Sequence, residues 1–392
     1  MTSKLPVARN IRLLRVHNFL NWCWPLNAVA IIYFQQITGS WATASFVFSL
    51  YILVQALCAV PTGIISDKWS RSRTLVVSSL FFVAMGLCFA MAGVISSTPL
   101  LFAGAAIWGL AGAFETGTEE GLIYETMADL DRKDEYDIAY ASTRAWRYIG
   151  ALAAGFIAIP VIYFFDMLML AWISIIPAVA QTVVSFMFVE PKSYRRSERR
   201  AFPHLLEALL AFVRNRKARR IALAHSMNFS WGEVQYRINT IFFAVFVPIW
   251  AVDLVYSIYR ICSSAGFKVA MRLRGLGFFK MALVGHVYKI STVGVALVFN
   301  NIISPFIFAI SSLGTGPEHT AESALMQEEF TDEQRATMRS IIAIFAGVLS
   351  AGVFAFSGWL AEAYSARTSL GVLVLYKAVI AAYFFYLMRK YR

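Results

Sequence analysis

Apolar stretches of membrane-crossing length recur along this chain, separated mostly by short charged turns. A helix needs about 20 apolar residues to span a bilayer core. Twelve stretches meet that need, with approximate cores at 14–36, 42–65, 74–95, 99–127, 138–163, 167–189, 220–246, 249–271, 276–298, 302–328, 336–361 and 368–388. Composition agrees. Charged residues make up 15% and hydrophobic residues 59%, whereas a soluble domain carries roughly 25% charge. Such a chain needs lipid as its solvent, and in lipid the backbone must satisfy its own hydrogen bonds. The expected class is therefore an all-α membrane protein with twelve transmembrane helices. The 32 Phe, 10 Trp and 17 Tyr residues suit interfacial belts.

The basic residues set the orientation. They gather before the first span and in the 2–3, 6–7 and 8–9 turns and the C-terminus, with Arg132 and Lys133 in the 4–5 turn. The opposite turns are nearly free of Lys and Arg, Arg367 excepted. The positive-inside rule then puts both termini in the cytoplasm; the expected location is the cytoplasmic (inner) membrane, multi-pass, and the expected state a monomer. An even number of spans follows. The net charge of +12 lies in these turns, which argues against nucleic acid as a partner. A long basic segment, 190–219, divides the chain into an N-terminal six-helix bundle (1–189) and a C-terminal one (220–392). Within it, Phe202 to Val213 forms an amphipathic pattern, either a surface helix on anionic headgroups or a plain tether. Cys23, Cys58, Cys88 and Cys262 are scattered through apolar spans, with no disulfide or metal spacing. The first span is too long for a cleaved signal peptide and is expected to be retained.

The turn after the second span reads Gly63-Ile64-Ile65-Ser66-Asp67-Lys68-Trp69-Ser70-Arg71-Ser72-Arg73. It resembles the signature loop of the major facilitator superfamily, Gly-x-x-x-Asp-(Arg/Lys)-x-Gly-(Arg/Lys)-(Arg/Lys). Ser70 replaces the second glycine, and Ser72 interrupts the basic pair. The resemblance implies two pseudo-symmetric six-helix bundles and secondary transport. It also implies roles. Gly63 lets the second and third helices pack closely, and Asp67 and Arg71 join a gating charge network assisted by Lys68 and Arg73. The two halves look related: Glu119 to Met127 can be laid over Glu318 to Met326, each before a charged turn and an arginine-bearing helix (Arg144; Arg335 and Arg339). The acid-rich fourth span and the Gln334-Arg335-Ala336-Thr337-Met338-Arg339-Ser340 opening resemble the bacterial drug-efflux branch.

Charges inside spans are functional candidates because lipid makes them costly. At 1.5 Å per residue, Glu119 lies about 12 Å and Glu115 about 18 Å from the cytoplasmic end of the fourth span, with Arg144 at about 9 Å and Arg147 at about 13 Å in the fifth. Glu119 and Glu120 match those arginines in depth, so they are either ion-pair members or proton-coupling acids. No arginine of the fifth span matches Glu115. It is a proton-coupling candidate, the other reading being a pair with Arg260 or hydrogen bonds to Thr116 or Thr118. In the tenth span, Glu318, His319 and Glu322 offer a His–Glu proton relay or a merely hydrated helix end. Gly314-Thr315-Gly316-Pro317 just before them marks a bend. Arg260 in the eighth span calls for a helix-4 or helix-10 carboxylate, or an anionic substrate. Glu233 and Arg237 suit one another, and Lys289 with His286 in the ninth span has only snorkelling to explain it. Gly150, Gly155 and Pro160 in the fifth span resemble a shortened form of the glycine-rich run of the superfamily's drug antiporters, and suit close helix packing equally well.

No P-loop, Gly-x-Gly-x-x-Gly or metal-ligand spacing is present, so neither an enzyme nor a cofactor or metal is expected. ATP-driven transport is therefore not expected, and an ion gradient or the substrate's own gradient supplies the energy. The expected function is proton-coupled efflux of an amphipathic or cationic small molecule by alternating access. A nutrient facilitator or symporter and a non-transporting sensor are the alternatives. Phe19, Trp22, Trp24, Tyr33 and Phe34 offer cation–π surfaces or core packing in the first span.

Overall fold

The computed structural model describes residues 5–191, 215–328 and 332–391, with side chains omitted at 5–6 and 327–340. The amphipathic stretch 202–213 therefore lies outside the described residues, as do the side chains of Arg335 and Arg339. Among the described residues every regular element is helical.

The chain divides into two compact units. The first comprises Met1–Thr38 and Leu50–Ala201. It holds α1 (Leu5–Trp22), α2 (Ala30–Thr38), the larger part of α3 (Trp41–Lys68), α4 (Arg71–Ile95), α5 (Thr98–Glu115), α6 (Thr118–Asp129), α7 (Tyr136–Phe164), α8 (Met167–Ile173) and α9 (Ile175–Phe186). Here α4 packs on α5 and α9, and α1 on α7. One core cluster joins Leu13, Leu14, Leu75, Leu122, Ile123, Met127, Ala139 and Phe188. Elsewhere Trp108 stacks on Tyr51 at 3.8 Å and meets Trp24 edge-on at 4.8 Å.

The second unit comprises Gly39–Ser49 and Phe202–Arg392. It holds α10 (Arg216–Phe246), α11 (Ile249–Leu273), α12 (Phe278–Phe299), α13 (Ser304–Ile310), α14 (Thr315–Glu328), α15 (Asp332–Ala363) and α16 (Ala366–Lys390). Here α10 packs on α15 and α16, and α12 on α14 and α16. The first turns of α3 belong to this unit, where Phe48 stacks on Phe354 and Glu362 accepts the Trp41 amide at 2.5 Å.

Local sequence explains the helix ends. Ser97, Asp166, Asn215 and Ser365 each accept a backbone N–H as N-caps. Ser96 and Asn300 close helices in the left-handed conformation. Among the described residues eight helices are long and apolar enough to cross a membrane. The expected spans 14–36, 220–246, 249–271 and 302–328 are not among them. The first is broken at Pro25–Ala28 and the tenth by a 3-10 turn at Ser311–Gly314. The other two carry charges such as Glu233, Arg237, Asp253 and Arg260.

Candidate functional site

Two buried charge clusters organise the helices, one in each unit. In the first, the fourth span breaks at Thr116 and Gly117, where Gly117 takes φ +79°, a conformation that favours glycine. Glu115 ends α5, and Glu119 opens α6. Glu119 is 1% exposed and sits in the first helical turn, where the unpaired N–H groups favour an anion. Asn18 of α1 donates to it at 2.6 Å. Arg147 of α7 spans the break. One guanidinium nitrogen, Nη2, contacts Glu119 and lies 3.1 Å from Glu115, while Nε donates to Asn18. Asn21 reaches Glu115 at 3.4 Å. Arg144 lies 3.1 Å from Glu120 and 3.9 Å from Glu119. The expectation that no helix-5 arginine serves Glu115 is thus overturned. The break turns Glu115 toward α7, and the long arginine side chain covers the remaining depth.

The second cluster centres on Glu318 and Glu322 of α14. Lys289 Nζ donates to Glu318 Oε2 at 2.8 Å, while Lys377 Nζ and His286 Nδ1 each lie 2.9 Å from Oε1. Glu322 accepts from Asn228 at 2.7 Å and faces His225 Nδ1 at 3.0 Å. Asn228 in turn accepts from Lys377. Both lysines lie over the Trp231 ring, at 4.1 Å for Lys377 and 5.2 Å for Lys289. Lys289 is therefore an ion-pair member, not a snorkelling side chain. The cluster forms because glycines let backbones touch. A side chain at Gly285 would meet Glu318 at 2.6 Å, and one at Gly316 would meet Gly266 backbone at 2.1 Å.

Other expectations change. His319 is exposed and sits edge-on to Phe267, so the histidines facing Glu322 are His225 and His286. Arg260 hydrogen-bonds Tyr236 at 3.4 Å rather than a carboxylate of α14. Arg237 lies over the rings of Phe48 and Tyr236. Arg339 falls among the undescribed side chains.

At the signature loop, Gly63 faces open space, so it makes no close approach here. The tight contact is at Gly121, where an added Cβ would lie 2.3 Å from the Arg71 guanidinium. Arg71 bridges Asp67 at 3.1 Å and Glu125 at 2.6 Å. Lys68 and Arg73 are exposed. Ser70 is extended and caps α4, accepting from Arg73. It also donates to Glu190 at 2.5 Å, and that carboxylate takes the Arg71 and Ser72 amides at 3.0 Å. The missing glycine is thus replaced by a capping arrangement.

Sequence reasoning missed Asn18, Glu190, Asn228 and Lys377. Lys377 carried a signal, a lone lysine in the middle of an apolar span. The amides carried none, being uncharged.

A family model described as Major Facilitator Superfamily matches residues 18–306. Among solved structures, the nucleoside transporter NupG superposes with a TM-score of 0.77 at 16% identity, covering 99% of each chain. A bacterial homologue of the human lysosomal transporter Spinster gives 0.74 at 13% identity, covering 98% of this chain and 97% of its own. A D-xylose–proton symporter gives 0.73 at 12%, covering 96% and 97%. At these identities the likeness is one of fold. No curated protein matches the chain by sequence.

Proposed function

The chain belongs to the Major Facilitator Superfamily, and on that premise we propose that it is a proton-coupled secondary transporter of a small organic molecule. Its helices cross the cytoplasmic membrane twelve times in two six-helix halves, as a monomer with both termini in the cytoplasm, and it works by alternating access. The observation that carries the coupling is the sharing of Arg147 by Glu115 and Glu119. Among the described residues, the arginines that pair with Glu115, Glu119 and Glu120 are Arg144 and Arg147. Full ionisation leaves one negative charge in excess, and lipid surroundings penalise it. A proton on Glu115 removes the excess, and its release restores it. Glu119 stays paired and holds Arg147 in place. Asp67 and Arg71, tied to Glu125, serve as the gating element on the cytoplasmic side.

Export of an amphipathic or cationic compound is the first reading of direction, drawn from the acid-rich fourth span. Nutrient symport is the second, favoured by the fold shared with a D-xylose–proton symporter and a nucleoside transporter. Proteoliposome flux with ethidium, uridine and D-xylose, with and without a pH gradient, separates them. Export predicts ethidium accumulation in inverted vesicles; symport predicts uridine or xylose uptake down the proton gradient. Glu115→Gln abolishes the gradient dependence in either case. Flux equally indifferent to the gradient in wild type and variant eliminates proton coupling.

A further inference from the structure

The second unit contains a histidine whose two ring nitrogens both face carboxylates. His286 is fully buried on α12, with Nδ1 2.9 Å from Glu318 Oε1 and Nε2 3.7 Å from Glu322 Oε1. A neutral imidazole has one donor nitrogen and one acceptor; only the protonated ring donates at both. Neither contact has hydrogen-bond alignment. A shift of about 1 Å brings the longer contact within hydrogen-bond range. Glu322 extends the chain to His225 Nδ1 at 3.0 Å, and the His225 side chain is 26% exposed, against 4% for Glu322. Glu318, His286, Glu322 and His225 thus run in contact from a sealed interior to an open end.

A proton on His286 sits between the Glu318 and Glu322 carboxylates, with Lys289 and Lys377 as the opposing charges. Lys289 and Lys377 balance Glu318 and Glu322, so with neutral histidines the group has no net charge. The remaining titratable groups within electrostatic reach are Tyr259 of α11 and His319 of α14. On α16, the Phe384 ring lies 4.7 Å from His286.

We propose that this chain of side chains is a second proton-binding site, with His286 as carrier and His225 as the point of exchange. The proton leaves His225 Nδ1 for Glu322 Oε2, one N–H bond breaking as one O–H bond forms. It passes from Glu322 to His286 Nε2, the O–H bond breaking as the second N–H bond forms, and the ring then holds both protons between Glu318 and Glu322. The lysines keep their charge throughout. The use of this proton in transport rests on the coupled-transport reading; its binding does not.

The test is 15N NMR of histidine-labelled full-length protein in lipid nanodiscs. Five histidines are present, and His286→Gln assigns the signal. The expected result is that His286 passes from one protonated nitrogen to two between about pH 8 and pH 5. Glu322→Gln moves that transition by about one pH unit toward acid, because an anion no longer faces the ring. Glu115→Gln leaves it in place, which separates this site from the first cluster. A ring that keeps one tautomer throughout, or a transition unmoved by both Glu318→Gln and Glu322→Gln, overturns the proposal.

Discussion

Replacing Glu318 by Gln tests how the second cluster is held together. The carboxylate is 2% exposed and pairs with Lys289 and Lys377 at 2.8 and 2.9 Å. Glutamine keeps the volume and removes the charge, leaving two buried lysines facing Glu322 alone. Breaking a buried pair by deleting one partner costs about 3–5 kcal/mol. The loss has a ceiling, because one lysine can give up its proton. From an ordinary lysine value of about 10.4, that costs about 4.6 kcal/mol at about pH 7 and about 2 kcal/mol at about pH 9. Cation–π contact with Trp231 offsets some of it, about 1–2 kcal/mol. The sign is set by which state binds the proton. The variant's folded form loses a proton that its unfolded form keeps, so the penalty shrinks as pH rises. Thermal unfolding in detergent, followed by a thiol-reactive dye on the four free cysteines, reads the change. A drop on the order of 10 °C at about pH 7 is expected, and Glu318→Gln/Lys377→Met should recover most of it. A penalty that ignores pH, or a double variant no better than the single one, refutes the reasoning.

Three further outcomes follow from the same geometry. Glu190→Ala strips the α4 N-terminus of its carboxylate and should cost about 1–2 kcal/mol in thermal unfolding, with faster trypsin cleavage at Arg71 and Arg73; unchanged cleavage would reject the clamp. Gly316→Val drives a side chain into the Gly266 backbone and should cost at least about 1–3 kcal/mol. Gly232→Ala, facing open space within α10, should be neutral or stabilising by up to about 1 kcal/mol; equal effects at both sites would deny the glycine contact. Asp67→Lys puts a like charge beside Arg71 and should cripple proteoliposome flux while sparing the folded fraction; unimpaired turnover would remove the loop from gating.

The intramembrane acids were legible because charge in an apolar span stands out against its neighbours. Glu115, Glu119, Glu318 and Glu322 were found that way, and the same rule applied to α16 would have found Lys377. Their partners were not legible. Depth along a helix is one coordinate, and it matched Glu119 with the arginines of the fifth span. It failed for Glu115 because the break at Gly117 redirects the side chain, and for Lys289 because its acid, Glu318, lies on another helix that spacing along the ninth span does not reach. His319 was assigned to Glu322 on helical spacing, yet its ring points to Phe267. Spacing sets who can be neighbours on one helix, while packing sets which neighbouring helix answers.

Hydropathy and charge order, local properties of a linear chain, were enough to specify an all-helical membrane protein and the turn by which its superfamily is known. Which cation meets which acid was decided only when glycine contacts at Gly266, Gly285 and Gly316 brought distant helices together. A buried ion pair depends on the rotation and approach of two helices, and neither is written in the spacing of a single one.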